Sequence, residues 1–404
     1  MFQKLKKMDG AIIFILILLM GISVAATYSA GRAWEGHGGD YLKMIVYYAL
    51  GFVAILGICM LDYRLFVKYS LYIYGAGVLL LILTIFLGQD LNNASGWIKI
   101  GGLSIQPAEL FKLILVLFLA YVLLRKNKVK DQLLFWRDVV PIMMITFLPF
   151  VVVIAQNDLG NALAYIVIMF GMLWIGNIRF VHALIGVIII VGVAIGGIFS
   201  YIHFHDEVKH FLVDTLKKPH LVNRFDPWLM PEEASRDAKY QTENAKLAIA
   251  SGGMSGKGFL KGTSVQSKRV PYTYADSIFS VIAEEFGFVG ASVLLLLYFI
   301  LIHRMILIAL ECRERAGPYI IVGVVAMLLY QIFENIGAFI GLVPLTGITL
   351  PFISYGGTSL LINMMSIGVV LSIKIHGQEL EDEFPQPAQN RSKAGLRSRA
   401  AKPS

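Results

Sequence analysis

Apolar residues in this chain are gathered into long unbroken runs. They show neither the strict alternation of a half-buried strand nor the one-sided stripe of a soluble helix. The runs are 11–29, 44–61, 69–87, 110–124, 139–155, 162–176, 181–202, 288–308, 319–341 and 350–375, parted by polar or glycine-bearing segments. At ~1.5 Å rise per residue, about 20 residues cross the hydrocarbon core of a bilayer, so the pattern predicts about ten transmembrane helices. The fold class is an all-α polytopic membrane protein. A long polar interruption, 203–275, separates the seventh helix from the eighth. A charged, proline-containing tail, 377–404, reads as disordered beyond a transmembrane domain of 1–376.

Composition agrees, because 57% of the 404 residues are hydrophobic and only 15% charged, at a mean hydropathy of +0.70. A flank of Lys4, Lys6 and Lys7 makes the first run resemble a signal peptide, but no small-residue cleavage site follows, and it is expected to remain as an anchor. With the N-terminus in the cytoplasm, the short inner segments collect Arg64, Lys68, Arg125, Lys126, Lys128, Lys130, Arg137, Arg179, Arg304, Arg313 and Arg315, against Arg32, Lys43 and Lys99 in the short outer ones. Both termini are then cytoplasmic and 203–275 is extracytoplasmic. The net charge of +8 mostly records this topology, with an anionic ligand outside as a second source, and no soluble basic domain exists to carry nucleic acid. In the tail, Arg391, Lys393, Arg397 and Arg399 suit contact with anionic membrane lipids. Cys59 and Cys312 fall on the cytoplasmic side, where no disulfide is expected, and no metal-ligand spacing occurs.

Candidate chemistry lies where polar residues interrupt the pattern. Residues 270–290, VPYTYADSIFSVIAEEFGFVG, bring Asp276, Glu284 and Glu285 to the mouth of the eighth helix. A helix beginning near Ala275 sets Asp276, Ser280 and Glu284 on one face. Carboxylates at a membrane mouth are costly unless they face water or protein. Thr273-x-x-Asp276 reads equally well as a capping box. Around the fourth helix, Gly101-Gly102 makes a turn and Pro107 opens the first helical turn. Glu109 and Lys112, three apart, form either a self-neutralised pair or a polar wall facing an anion. Asp158, in the turn Gln156-Asn157-Asp158-Leu159-Gly160-Asn161, reads first as an N-cap.

A segment as long as 203–275 is expected to carry function. Arg224-Phe-Asp226-Pro-Trp228 reads as a turn, and 239–250 as a short helix stopped by Gly252-Gly253. Lys257, Lys261, Lys268 and Arg269 gather before Asp276, as a solvated face or as an anion site. Near the end, Glu334-Asn335 and the glycine- and proline-rich stretch 341–359 break the apolar sequence. Broken backbone at membrane depth belongs beside a cavity or inside protein, which makes Ser354, Tyr355 and Gly356-Gly357 an internal polar feature.

Together these blocks resemble the SEDS family (shape, elongation, division and sporulation). The resemblance covers nearly the whole chain to Ile375 and is strongest at Leu350-Pro-Phe-Ile-Ser-Tyr-Gly-Gly-Thr-Ser359. Asn335-Ile-Gly, Pro344-Leu-Thr-Gly-Ile, Ile105-Gln-Pro-Ala-Glu-Leu-Phe-Lys112, Gln156-Asn-Asp-Leu-Gly160, Ala250-Ser-Gly-Gly and 276–287 match in order. The chain departs from the family pattern at Gly96, Asn157, Asn161, Ala275 and Ser277. The resemblance implies a peptidoglycan glycosyltransferase of the bacterial cytoplasmic membrane. It would polymerise lipid II at the outer face, for elongation and shape or for division, beside a class B penicillin-binding protein that crosslinks the peptides. Carried over by position, Asp276 matches the family's essential acid, and Glu109 and Lys112 its polar pair.

On that reading, the 4-hydroxyl of one lipid-linked disaccharide attacks the anomeric carbon of another, and a polyprenyl diphosphate leaves. The hydroxyl must lose its proton, the general-base role expected of Asp276. The departing diphosphate needs cations, expected from Lys112, Arg224, Lys268 and Arg269. Glu109, Asp158, Glu284 and Ser354 complete the expected substrate-binding set. No cofactor is called for, and a divalent cation is left open. A lipid II flippase and a non-catalytic scaffold for the penicillin-binding protein are the competing classes. Acids and bases clustered on the outer side favour the enzyme over a midplane transport site.

Overall fold

The computed structural model describes residues 7–91, 94–100, 103–127 and 132–377. Lys128, Lys130, Gly101-Gly102 and the tail from 378 onward lie outside the described residues. In chain order the helices are α1 Gly10–Ala33, α2 Asp40–Met60, α3 Tyr63–Leu87, α4 Pro107–Asn127, α5 Val140–Ala155, α6 Leu159–Ile175 and α7 Phe180–His203. Four short helices follow: α8 His205–His210, α9 Pro219–Leu229, α10 Arg236–Ser251 and α11 Thr263–Gln266. The chain then returns to long helices in α12 Ile278–Glu311, α13 Ala316–Ile340 and α14 Gly357–His376. Among the described residues nine helices are long and apolar enough to cross a bilayer, one of them joining the π turn Phe135–Val139 to α5. The tenth, α6, has 17 residues.

The helices nearest the centre are α4, α13 and α14, whose apolar windows are mostly buried in protein, whereas α7 buries none of its window. Between α3 and α4 the chain forms a small antiparallel meander in the order β1-β2-β3, with strands Gln89–Leu91, Ala94–Ile100 and Leu103–Ile105. Thr358 Oγ1 donates to the Ser104 carbonyl at 2.6 Å, which ties the meander to the start of α14.

Three sequence expectations are corrected. The run 350–375 is not one helix: residues 342–356 are irregular, and α14 starts only at Gly357. Pro351 and the left-handed Phe352, at φ 62°, prevent helix there. Its carbonyls are met by side chains of the surrounding helices. Ser23 Oγ donates to Ile353 O at 2.7 Å, Asn335 Nδ2 to Ile348 O at 2.7 Å, Tyr298 Oη to Pro351 O at 2.5 Å, and Tyr48 Oη to Phe352 O. Irregular backbone survives at this depth because protein replaces the missing water. Second, Arg224-Phe-Asp226-Pro-Trp228 lies within helix α9 and is not a free turn. Pro227 is tolerated because the helix ends two residues later, so little of its hydrogen bonding is lost.

Third, the eighth membrane helix starts at Ile278, with Ser277 as its N-cap residue making no side-chain cap bond. Asp276 therefore precedes the helix, and it shares no helical face with Glu284. The capping box is absent too, since Thr273 Oγ1 accepts from Trp34 Nε1 at 3.0 Å. Helix α12 is broken at Gly287, where φ is 63° and ψ −159°. The loop after α10 fills the break: Phe288 N donates to Gly253 O at 2.9 Å, Val289 N to Met254 O at 3.1 Å, and Lys257 N to Glu284 O at 3.0 Å.

Candidate active site

A cavity of about 920 Å³ opens at the end of the bundle where α4, α6 and α14 begin, beneath the 203–275 segment. Alternation of the helices puts this end opposite to the α4–α5 and α6–α7 connections. Polar side chains reach the cavity from five elements. Glu109 and Gln106 come from the start of α4, and Asp158 and Asn161 from the start of α6. Arg224, His220 and Trp228 hang from α9, and Lys246 from α10. Asp276 and Tyr272 come from the turn before α12.

Each is held for a stated reason. Asp158 caps α6, accepting from Asn161 N at 3.0 Å, and also accepts from Asn161 Nδ2 at 2.8 Å and Gln106 Nε2 at 2.7 Å. The N-cap reading and the cavity position thus coexist. Burial nevertheless pushes the Asp158 carboxyl above its ordinary range, against the bonds from Asn161. Arg224 is carried by α9, which is fastened to α7 and α8 through buried Asp226. That carboxylate accepts from Tyr201 Oη at 2.5 Å and lies 3.0 Å from His205 Nε2. Lys246 is set by α10, whose Ala245 and Ala248 pack on Phe339 of α13.

Asp276 lines the cavity from the turn before α12. The cavity reaches it, yet protein surrounds it closely. Burial pushes its pKa up to about 6, while the backbone N–H groups of Asp276 and Ser277 and the Arg224 charge pull the other way. Asn335 Nδ2 donates to the Asp276 carbonyl at 2.9 Å and fixes the turn that presents the carboxylate. Burial lowers the pKa of Arg224, and the charges of Asp158, Glu334 and Asp276 oppose this. One guanidinium nitrogen, Nη1, is buried without a hydrogen-bond partner among the described residues. Glu334 stands behind the cavity wall, accepting from Thr346 N at 3.2 Å and from Thr346 Oγ1. The result is a cation surrounded by acids, open on one side to a ligand.

Of the residues singled out in the sequence, Glu109, Asp158, Arg224 and Asp276 meet at this cavity. Lys112 stands one layer back, fully buried and 2.8 Å from Glu109 Oε2. Four others lie elsewhere. Glu284 is buried against the loop after α10, accepting from Lys257 Nζ at 2.6 Å, Ser264 N at 2.8 Å and Val265 N at 3.0 Å. Lys268 and Arg269 are exposed outside the cavity, with Lys268 4.0 Å from Glu35. Ser354 is buried, its Oγ accepting from Leu350 N at 2.9 Å inside the irregular segment. Gln106, Asn161, His220, Trp228, Lys246 and Thr358 also line the cavity but stand outside the expected site set. Gln106 lies within the 105–112 motif and Asn161 closes the 156–161 turn, but nothing local distinguishes His220 or Lys246. Among the described residues no group of three or more His, Cys, Asp or Glu side chains could hold a metal by itself.

Residues 6–379 match the model of the cell cycle protein family FtsW/RodA/SpoVE. Stage V sporulation protein E of Bacillus subtilis is 31% identical over 374 residues, covering 90% of this chain and 96% of that protein. Peptidoglycan glycosyltransferase MrdB of Escherichia coli is 29% identical over 390 residues, covering 92% and 95%. Among solved structures, one described as the structural coordination of polymerization and crosslinking by a peptidoglycan synthase complex aligns with a TM-score of 0.73 at 25% identity, covering 92% of this chain and 99% of that one. The rod shape determining protein RodA of Thermus thermophilus aligns at 0.66 and 26% identity, covering 92% and 98%.

Proposed function

The chain belongs to the FtsW/RodA/SpoVE family, and from that premise we propose how it works. It is a multi-pass membrane peptidoglycan glycosyltransferase. The single observation that carries the mechanism is the meeting of Asp276 and Arg224 across one polar cavity at a membrane mouth. Lipid II is the substrate, entering with its polyprenyl chain in the bilayer and its diphosphate under the 203–275 segment. The Asp276 carboxylate takes the proton from the 4-hydroxyl of one disaccharide as that oxygen bonds the anomeric carbon of the other. The bond from that carbon to the diphosphate oxygen breaks, and its electron pair leaves with the diphosphate. Arg224, with Lys246 across the cavity, meets the charge that develops there. Asp276 then returns its proton to water.

The positive-inside distribution supports a cavity on the outer face of the bacterial cytoplasmic membrane, with both termini inside. Glycan strands made there need peptide crosslinking, so a class B penicillin-binding protein is the proposed partner. The polymerisation and crosslinking complex among the structural relatives supports this pairing. Purified protein with its partner, given lipid II on its own side of a vesicle, is the test. Polymer formation that stops in Asp276→Asn supports the mechanism. Scrambling of labelled lipid without polymer overturns it in favour of transport, and normal growth of cells carrying Asp276→Asn overturns it in favour of a scaffold. Depletion followed by microscopy assigns the process, since round cells mean elongation and filaments mean division.

A further inference from the structure

At the opposite end of the bundle from the reaction cavity, a groove of about 980 Å³ runs between α5, α6 and α7. Its walls are almost wholly apolar, from Met143 on α5 and Phe170 on α6 to Ile185 and Val191 on α7. The groove exists because α7 stands away from the bundle. Its apolar window is unburied, and added Cβ atoms at Gly192, Gly196 and Gly197 would meet nothing within 4 Å. The α7 residues lining it run from Phe180 to Val191, which at 1.5 Å per residue is about 17 Å. That depth is close to one leaflet, about half of a 30 Å hydrocarbon core.

The open end of the groove is not apolar. Arg137 and Arg179 line it together with His182. Both arginines are exposed, and among the described residues neither guanidinium has an ion-pair or hydrogen-bond partner. Asp138, next in sequence to Arg137, does not neutralise it. It is nearly buried, 3.2 Å from Lys126 Nζ, and accepts from Leu134 N at 2.9 Å. His182 Nδ1 is buried without a hydrogen-bond partner among the described residues. Exposed Trp136 and Trp174 flank the same rim, the side chains that mark the headgroup level of a bilayer.

We propose that this groove is a binding site for one anionic glycerophospholipid of the leaflet opposite the reaction cavity. The phosphate lies between Arg137 and Arg179, and an acyl chain lies along α7. Charge complementarity selects the headgroup, because two unpaired guanidinium forks match phosphate oxygens and have no other partner. Leaflet depth selects the lipid over the substrate, whose diphosphate belongs at the other end of the bundle. The lipid also supplies the packing that α7 does not receive from the protein.

The test uses full-length protein in nanodiscs of equimolar phosphatidylglycerol and phosphatidylcholine, with retained lipid read by native mass spectrometry. Wild-type protein is expected to keep phosphatidylglycerol over phosphatidylcholine by about tenfold, the scale of one charge-assisted bidentate contact. Arg137→Gln/Arg179→Gln is expected to bring that ratio near parity, whereas Lys68→Gln, on the same side but away from the groove, leaves it unchanged. Ala183→Trp, which fills the groove, is expected to lose the tightly held lipid even if the double variant fails to fold. Equal retention of the two lipids by wild-type protein overturns the proposal. So does a headgroup preference that survives the double variant, or Ala183→Trp retaining the lipid. A photoreactive probe at position 183 that crosslinks to a partner's transmembrane helix instead of to phosphatidylglycerol overturns it as well. Lipid retention is read without polymerisation, so failure here leaves the glycosyltransferase reading standing.

Discussion

Lys257 Nζ lies 2.6 Å from Glu284 Oε1, and this pair takes Glu284 out of the cavity that Asp276 lines. Glu284 is fully buried in the first turns of α12 and gathers the loop after α10 through Lys257, Ser264 and Val265. It fastens the loop after α10 to α12, while Asp276, eight residues earlier, lines the cavity.

Removing one partner of such a pair strands the other. Lys257→Ala strands the fully buried Glu284 carboxylate and is expected to lower stability by roughly 3 kcal/mol; Glu284→Ala lowers it too, because the N–H groups of Ser264 and Val265 lose their acceptor, although the partly exposed Lys257 can turn to water. The double variant Lys257→Met/Glu284→Gln should recover much of the loss. Thermal unfolding in a fixed detergent measures all three, and equal stability of Glu284→Ala and wild type would refute the fastening role.

Asp276→Asn keeps shape and removes the base. Lipid II polymerisation should fall by about 10² to 10⁴-fold. The folded state raises the pKa of Asp276 from 3.8 to about 6, so it holds more protons than the unfolded state between those values. The stability cost of charging this carboxyl is absent below pH 3.8 and fully present above about 6. At neutral pH the Asn variant should therefore be at least as stable as wild type while inactive. An inactive variant that is also markedly less stable would mean that Asp276 holds the structure together.

The same carboxyl sets the pH dependence. A base works only when deprotonated, so the rate should rise with pH and reach half its plateau near 6. Arg224 lowers that pKa, and Arg224→Gln should move the acidic limb to higher pH while weakening substrate binding, seen as a raised KM. An acidic limb that stays in place in Arg224→Gln would show that the two charges are uncoupled.

Gly287 marks the break in α12. At φ +63° a side chain is strained, and a Cβ there would come within 2.3 Å of Gly256 N. Gly287→Ala is expected to cost roughly 2–4 kcal/mol and to loosen the loop after α10 that packs against the break. Limited proteolysis of 252–262 checks this, and unchanged cleavage would contradict it.

The membrane helices were legible because burial in lipid demands long apolar runs, and that demand is local. Each run contains or overlaps a helix, and the motif acids Glu109, Asp158 and Asp276 were named before their surroundings were visible. The failures have a common cause. Glu284 and Ser354 looked like site residues because they are polar at membrane depth, but such polarity equally serves to hold loops and broken backbone. Lys268 and Arg269 are near Asp276 in sequence, yet the left-handed turn at Lys268, φ 58°, leaves them outside the cavity.

By itself, then, the sequence determined the membrane architecture and the family blocks that carry Asp276. Hydropathy and spacing act over one or two helical turns, and those features need no more. Tertiary structure alone decided that Arg224 and Lys246 line one cavity with Asp276, that Glu284 is a fastening, and that α7 leaves its apolar window unburied. Those relations join residues from separate elements, and they arise from how α9 and α10 dock on the bundle, which no local periodicity records.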